Sequence, residues 1–513
     1  MAFLPIALPP GLERNGTPYE STRSWWDCNL IRWVSGSARP VGGWVRKTET
    51  PLDSAVRRIH TWRDNADQPA TMVGTDAKLY VDFGNTWLDI TPSGIVPPVH
   101  TLLGGYGSGP YGMDDYGTPR AAGVSDAFTP QYALWSFANW GEDVLFVSSE
   151  DNRVFHYIQA TPDTVPVVQT GPPTCNAVGV TDERHVMVVG PTMGGTYFPH
   201  RIAWSSRESL TDWDFANPAN SAGYLDLATK SPLTFIMNVR EGMLVFSSTE
   251  VFLVRYQGLP YVYGADLVSS MQIFHPYSIA AYDNGKAFWP SNRGMHVFAS
   301  GQVQTIACPI YNDIRVDFSL EWGQMHTHSS ANGNFPEVWM FWPSLGAVEC
   351  DRYVIWNFSE QWWAWGYLAR SAMVPGGAVR RPLAGTTEGT IYEHENGWTD
   401  AGLPILGQRW LETGALGIGG GERLIDVHQA MLSTQDNFHD VRPDGQPYVT
   451  LKFYGRYTPD GAERVFGPYT PRRDGYTDTR VNAREVRIRY IGNIDALFDV
   501  GLLRLEVAPG GAR

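Results

Sequence analysis

Two pairs of residues have side chains and a spacing that could support chemistry. His326 and His328 lie two residues apart, which would place both imidazoles on one face of a strand, as in a metal pair. Asp114 and Asp115 are neighbouring carboxylates, and glycosidases use two carboxylates roughly 5 to 9 Å apart. However, the histidines have no third ligand nearby in sequence, and the aspartates lie in a glycine-rich segment that does not fix their geometry. We therefore interpret the histidines as polar strand residues and assign neither pair a catalytic or metal-binding role.

A third candidate is the tryptophan-rich stretch from Arg352 to Tyr367. It contains Trp356, Trp362, Trp363 and Trp365, and a row of indoles could form a platform for sugar rings. Aromatic side chains that fill the gaps between wedge-shaped sheets would give the same composition. We favour packing and keep a carbohydrate platform as the alternative.

Motifs of familiar catalytic sites are absent from the sequence. It contains no GxSxG, no HExxH and no P-loop, and the glycine-rich run Gly417 to Gly421 precedes no predicted helix. The four cysteines are far apart and form no CxxC pair, so we expect free, buried thiols: Cys28, Cys175, Cys308 and Cys350. We accordingly predict no enzymatic activity, no cofactor and no bound metal.

Composition and charge narrow the fold class and the kinds of partner. The chain has 53 glycines and 36 prolines and shows no apolar stripe of helical period longer than about three turns, which indicates an all-β protein. A formal net charge of −14 argues against an open basic surface for nucleic acid, because such a surface needs clustered Lys and Arg. An acidic wall past which DNA slides without adhering is compatible with that charge.

The ends and the hydropathy of the chain bear on localisation. No apolar run reaches the 18 or more residues typical of a membrane-spanning helix. The first residues have no cationic segment and are interrupted by Pro5, Pro9 and Pro10, which disfavours a secretory signal. We expect synthesis in the cytoplasm.

The segment Gly242 to Tyr256 is a structural unit that other parts of the chain repeat. Its apolar runs Met243 to Phe246 and Val251 to Tyr256 flank a polar step, which predicts two antiparallel strands joined by a tight turn. Three successive apolar residues in the first run predict a strand that is covered on both faces. Similar hairpins recur, some about 42 residues apart, and a four-stranded propeller blade takes roughly 40 to 45 residues. The prediction is a β-propeller of six or seven blades, with a large sandwich as the alternative.

Three regions follow from this pattern. Residues 1–50 mix turns with bulky aromatics and should form an extended arm on another domain or a neighbouring subunit. Residues 51–400 should form the propeller, interrupted at 93–128 by a loop rich in Gly and Tyr that could mediate contact or gating. Residues 401–513 contain strands with strict alternation and should form a β-sandwich platform. The candidate loop residues are Tyr106, Tyr111, Asp114, Asp115 and Tyr116.

Several groups of residues together resemble one protein family. The amino-terminal group comprises Arg14-Asn15-Gly16-Thr17, Trp33, Arg39-Pro40 and Gly42-Gly43-Trp44. The central group comprises Arg201 to Ser205, Trp213 and the hairpin Gly242 to Tyr256, and the last comprises Glu412-Thr413-Gly414, Arg487 to Arg489 and Gly501 to Leu503. In this order they resemble the tail nozzle proteins of short-tailed bacteriophages, also called packaged-DNA stabilisation or tail tubular proteins.

The resemblance spans nearly the whole chain and implies a function. The family forms a ring of six subunits below the portal and adaptor, through which double-stranded DNA leaves the capsid, with fibres or spikes nearby. It implies a structural virion protein of the tail, which retains and then conducts DNA without reading its sequence. Intersubunit contacts would fall on the arm residues Arg14, Asn15, Trp25, Trp26, Trp33 and Trp44. The alternatives are a propeller that binds or cleaves glycans and a tail-side receptor-binding adhesin.

Overall fold

About half of the described residues lie in β-strands, and few lie in helices. The computed structural model describes residues 3–510 apart from 15, 18, 20, 22, 84–85, 96–133, 321, 417, 419–422, 435–441, 459–460 and 473. The helices in this part are short: α1 (Tyr311–Asp317), α2 (Gly323–His326) and a 3-10 turn (Pro276–Ser278). None of these described helices has the length and apolar character needed to cross a membrane. The predicted all-β class is confirmed.

Five strands precede the first blade. They are β1 (Phe3–Ile6), β2 (Trp25–Asn29), β3 (Ile31–Val34), β4 (Ser37–Pro40) and β5 (Trp44–Arg46).

Seven four-stranded antiparallel sheets form within the described residues and follow one another as the blades of a β-propeller. Blades one and two contain β6 (Val56–Arg63), β7 (Pro69–Thr75), β8 (Leu79–Phe83), β9 (Thr86–Asp89), β10 (Trp135–Trp140), β11 (Asp143–Ser148), β12 (Val154–Tyr157) and β13 (Val167–Val168). Blade three contains β14 (Ala177–Val180), β15 (Val186–Val189), β18 (Arg201–Trp204) and β19 (Gly223–Asp226), with a side ribbon of β16 (Thr192–Met193) and β17 (Thr196–Tyr197).

The remaining blades have the same order of strands. Blades four and five contain β20 (Leu233–Val239), β21 (Gly242–Ser247), β22 (Val251–Gly258), β23 (Val262–Ser269), β24 (Ala280–Tyr282), β25 (Lys286–Ser291), β26 (Gly294–Ala299) and β27 (Gln302–Ile306). Blades six and seven contain β28 (His328–Asn332), β29 (Glu337–Trp342), β30 (Arg352–Asn357), β31 (Trp362–Tyr367), β32 (Ala372–Val374), β33 (Leu383–Gly385) and β34 (Ile391–His394).

The hairpin that defined the repeat lies in blade four and is covered on both sides. Leu244, Val245 and Phe246 are fully buried. Leu244 and Phe246 share a hydrophobic cluster with Trp289 of blade five, whereas Val245 shares one with Ile202 of blade three. This confirms the prediction drawn from three successive apolar residues, because a blade in mid-ring packs on a neighbour at each face.

Blade seven is completed by a strand from the other end of the chain. Strand β5 pairs with β34, and Trp44 lies opposite His394. The chain reaches this position through Gly43, where a Cβ atom would come within 2.4 Å of the backbone N and O of Thr399. Strand β5 belongs to the segment that the sequence analysis assigned to the arm. Its joining of the last blade completes that four-stranded sheet and closes the ring with a segment from the other end of the chain.

Two further antiparallel sheets combine both ends of the chain, and we call them the terminal sheets. Their carboxy-terminal strands are β35 (Trp410–Thr413), β36 (Ile425–Thr434), β37 (Val449–Arg456), β38 (Arg464–Tyr469), β39 (Tyr476–Ala483), β40 (Glu485–Gly492) and β41 (Val500–Pro509). One sheet has the order β3-β4-β41-β36-β39 with β1 beside β41, and the other has the order β2-β35-β40-β37-β38. Apolar residues of both sheets belong to one hydrophobic cluster. Their face-to-face packing as a sandwich, and the domain boundary near 400, stay predictions.

The amino-terminal strands join the terminal sheets to blade six. The backbone N–H of Leu12 donates to the carbonyl of Trp363, at 2.9 Å. Arg32 is buried, with its Nε 3.3 Å from a carboxylate oxygen of Glu337 and its Nη2 bonded to Glu395. Burial acts to lower the pKa of Arg32, but the two glutamates outweigh it and raise that pKa. The two parts of the molecule are therefore joined by a buried charged contact as well as by apolar packing.

Candidate functional site

The inner strands of the seven blades surround a central channel. Its wall is formed by β6, β10, β14, β20, β24, β28 and β32. The cavity within it has a volume of about 410 Å³. Four residues of a strand span roughly 13 Å, so that volume, which is the space open to the centres of water molecules, corresponds to a bore on the order of 9 Å between atom surfaces. An α-helix of roughly 10–12 Å diameter would not fit, and a DNA duplex, with a major groove alone roughly 12 Å wide, is wider still.

Arg58 places a positive charge at one end of this channel. Its guanidinium carbon lies 4.7 Å from the ring centroid of Tyr277 and 6.0 Å from that of Phe235. Among the residues that the structure describes, none forms a hydrogen bond or an ion pair with the Arg58 side chain. Burial lowers the pKa of Arg58, and the nearby Tyr277 phenol acts in the opposite direction. The cation is thus held against aromatic faces, with its hydrogen-bond donors left available.

Polar groups at the other end of the channel pair with one another. A ring nitrogen of His60 lies 2.6 Å from Oδ1 of Asn139, and Asn238 donates to the carbonyl of Val180 at 2.8 Å. Burial lowers the pKa of His60 to about 4, so this imidazole is neutral at pH 7. Arg58 is consequently the charged side chain of the described channel lining.

The preceding residue, Arg57, is part of a separate ionic cluster. Its Nε lies 2.7 Å from Asp76, and its Nη2 lies 2.8 Å from Glu349. Glu349 also lies 3.0 Å from Nδ1 of His326. Burial acts to raise the pKa of Glu349, but hydrogen bonds from His326 and Arg57 lower it to about 2. This cluster fixes the β29–β30 loop of blade six against blade one.

The histidine pair does not occupy one strand face, so that prediction was wrong. His326 ends α2, whereas His328 begins β28 and stacks on Phe341 at 4.9 Å between ring centroids. The short α2 helix turns the backbone between them, which the two-residue spacing could not reveal. Burial lowers the pKa of His328 to about 4. Within the described ranges, no group of three or more His, Cys, Asp or Glu is placed to hold a metal ion.

The tryptophan-rich stretch packs against neighbouring parts of the chain. Trp356 and Trp363 are buried and stack at 6.0 Å. Trp365 lies beneath the guanidinium of Arg14 at 4.5 Å and donates from Nε1 to Asp27. The packing interpretation is confirmed, because these rings face protein groups.

The predicted contact residues fall into two groups. The loop residues Tyr106, Tyr111, Asp114, Asp115 and Tyr116, and also Asn15, lie outside the described residues. The described arm tryptophans are all buried within this one chain: Trp25, Trp26, Trp33 and Trp44. Their burial is accounted for by the terminal sheets and blade seven. A contact between these side chains and a neighbouring subunit stays a prediction.

Comparisons with known proteins add information on fold. No protein-family model matches the chain, and no curated protein matches it. A search of solved structures finds virginiamycin B lyase from Staphylococcus aureus, with 9% identity, a TM-score of 0.38, and coverage of 67% of this chain and 95% of that one. It also finds the Cps50 (Swd1) β-propeller domain of Myceliophteria thermophila, with 9% identity, a TM-score of 0.39, and coverage of 68% and 98%. YCF48 from Cyanidioschyzon merolae has 9% identity, a TM-score of 0.40, and coverage of 69% and 100%.

The charged end of the channel was missed by sequence reasoning. The available signal was the dipeptide Arg57-Arg58 between the apolar residues Val56 and Ile59 of one strand. Successive strand residues point to opposite faces, so at most one of the two could belong to a sheet interface. The sequence could not show that Glu349, nearly three hundred residues later, neutralises one arginine and leaves the other facing the channel.

Proposed function

We propose that this chain is a structural subunit of the tail nozzle of a short-tailed bacteriophage, several copies of which form a ring that retains packaged DNA and conducts it during ejection. The proposal rests on the resemblance of three groups of residues, in order along the chain. One observation supports it most: the amino-terminal segment that carries part of this resemblance also ties the terminal sheets to the propeller. Arg32, Arg39 and Trp44 all form contacts with distant parts of the chain.

These contacts suit a building block that must keep its shape under load. Arg14 lies 3.3 Å from Asp313 and 3.6 Å from Asp27, with Trp26 and Trp365 on either side. A propeller and terminal sheets locked in this way would transmit force with little bending. Repeated in a ring, such subunits would form a stiff tube.

The channel of the propeller is not the route for DNA in this proposal. Its bore, on the order of 9 Å, excludes a duplex. DNA would pass between copies, through a lumen walled by the outer surfaces of the subunits. The adaptor ring and the fibres or spikes would be further partners.

A surface on blade six is our candidate for the contact between copies. Val316, Leu320 and Leu345 are 78%, 82% and 72% exposed. They lie close together because the backbone of Ser319 donates to Pro343 just before Leu345. Large apolar side chains in a group often mark interaction sites.

Electron microscopy of the purified chain with its adaptor ring tests the proposal. We expect rings of the wild-type chain on the adaptor, and we expect the double variant Leu320→Glu and Leu345→Glu to lose them while remaining folded. Leu259→Glu, at an exposed leucine on blade four, serves as the control and should still form rings. A wild-type chain that stays monomeric beside its adaptor would refute the nozzle assignment.

A second candidate is a propeller that binds or cleaves glycans or other small ligands. The propeller fold is compatible with it, and the channel volume of about 410 Å³ falls in the range of ligand pockets, roughly 300–1,000 Å³. A glycan array combined with a reducing-sugar assay distinguishes this candidate. Binding or release of sugar by the wild-type chain would favour it over the nozzle.

A further inference from the structure

We propose that the Arg58 end of the central channel is a binding site for a small monocarboxylate, whose carboxylate contacts the guanidinium and whose apolar part lies along the channel. This site does not depend on the function proposed above. It would exist once per chain, inside the propeller, and apart from any lumen between copies.

The first argument concerns the charge of Arg58. A guanidinium stays protonated in proteins, so Arg58 remains a cation even where burial disfavours the charge. Arg58 is half-buried, and a poorly solvated charge without an ionic partner is costly. Aromatic faces such as Tyr277 offset only part of that cost. Water or an anion must satisfy the remaining donors. A carboxylate can do so, because its two oxygens match the planar fork of arginine.

The adjacent Arg57 is an arginine of the same strand whose hydrogen-bond donors have carboxylate partners within the chain. It bonds to both Asp76 and Glu349, which face it from blades one and six. Arg57 lies at a β-bulge between Val56 and Arg58, and Arg58 lines the channel, where the described lining supplies it with no carboxylate. The contrast between two neighbouring arginines identifies the channel side as the place for an external anion.

A second, independent observation concerns Ser329 on the inner strand of blade six. This side chain is 5% exposed, lines the same cavity, and has an Oγ atom without a hydrogen-bond partner among the described residues. Ser136, in contrast, already bonds to the backbone of Val178 at 3.1 Å. This hydroxyl is unpaired and closed off from water as placed, so a small rotation of the side chain toward the channel would let it donate to a carboxylate.

The rest of the lining limits the class of ligand. Phe235, Ile279 and Met373 provide apolar walls. A phosphate dianion would need a second cation, which the described lining lacks, whereas a monocarboxylate is balanced by Arg58 alone. The bore accommodates a linear aliphatic body.

Calorimetric titration of the full chain with sodium hexanoate tests the site. We expect one hexanoate per chain, and at least tenfold weaker binding of 1-hexanol and of inorganic phosphate. Arg58→Met should weaken hexanoate binding at least tenfold, and Ser329→Ala should weaken it severalfold. Arg293→Met, at an exposed arginine on blade five, should bind as the wild type does.

If Arg58→Met does not fold, the preference of the wild-type chain for hexanoate over hexanol and phosphate still tests the proposal. Arg58→Lys is a second variant, which keeps the positive charge but loses the planar guanidinium. We expect Arg58→Lys to bind more weakly than the wild type and more tightly than Arg58→Met. The proposal is overturned if hexanoate does not bind at millimolar concentration, if hexanol binds equally well, or if folded Arg58→Met retains wild-type affinity. Tighter binding of phosphate than of hexanoate would overturn the choice of a carboxylate.

Discussion

Replacing Glu349 with glutamine removes the carboxylate that joins blade six to blade one. In the native structure this side chain bonds to Arg57 and to His326. Glutamine has nearly the same shape, so the change removes charge and leaves packing almost intact. Arg57 retains Asp76, which should keep the variant folded.

The pKa of Glu349 sets the size of the expected effect. Its lowering from 4.5 to about 2 corresponds to about 3 kcal/mol of stabilisation by the ionised form. Because the pKa is lower in the folded state than in the unfolded state, this stabilisation is fully present above about pH 4.5 and disappears as the pH falls toward 2. The free energy of unfolding should therefore drop by about 3 kcal/mol at pH 7, but by only about 1 kcal/mol near pH 3.

Urea unfolding followed by tryptophan fluorescence at pH 7 and pH 3 measures this difference. Glu388→Gln, which changes an exposed glutamate on blade seven, is the matched control and should alter stability by less than about 0.5 kcal/mol at either pH. An equal loss at both pH values for Glu349→Gln would refute the electrostatic reasoning. So would an unchanged stability at pH 7.

Three further variants or measurements probe other parts of the fold. Arg32→Met leaves two buried glutamates without their cation and should lower the free energy of unfolding by about 3–5 kcal/mol. Arg39→Met, at a more exposed ion pair, should lower it by less than about 1 kcal/mol. Comparable urea midpoints for the two variants would contradict this. Gly43→Ala places a methyl group within 2.4 Å of the Thr399 backbone and should lower the melting temperature by several degrees. An unchanged melting curve would show that the seventh blade closes differently. Burial raises the pKa of the Cys175 and Cys350 thiols, so Ellman's reagent should modify them at pH 8 only after unfolding, and rapid labelling of the native chain would contradict their burial.

The repeated hairpins were predictable because their information is local. In blade four, three successive apolar residues indicated a strand covered on both faces, and the structure gives each face its own hydrophobic cluster. The polar step between β21 and β22 marked the turn, since Ser247 Oγ accepts hydrogen bonds from the backbone of Thr249 and Glu250. Turn chemistry and apolar runs act over a few residues, so they are visible in sequence.

Closure of the ring was not predictable, because it depends on pairing across the length of the chain. The three residues of β5 carry no strand pattern of their own and acquire one only beside β34. Likewise, β2 pairs with β35 and β4 with β41. The segment predicted to form an arm on another domain contributes strands to sheets that begin elsewhere, and its turns and aromatics have no period that would indicate those strands.

The candidate site was hidden for the same reason. Arg58 is distinguished from Arg57 only by the carboxylates that fold against one and not the other. For the histidine pair, the sequence suggested a proximity on one strand face that the structure does not show. The two-residue spacing predicted a shared face, but a helix ends at His326. Polar residues within predicted strands can be identified from sequence, but the residues that pair with them in the fold cannot.

The terminal sheets bear on how a nozzle of such chains could let DNA pass. Two of their arginines are engaged by carboxylates: Arg487 by Glu412 and Glu463, and Arg456 by Glu485. Arginines that are already paired with carboxylates bind a phosphate backbone weakly, because nucleic-acid binding depends on free Lys and Arg side chains that displace counterions. The formal charge of −14 would then dominate the field at a lumen between copies and repel DNA over roughly 8 Å at physiological salt. A wall of this kind would guide a duplex without holding it, and in this proposal retention would have to come from a constriction and not from electrostatic attraction.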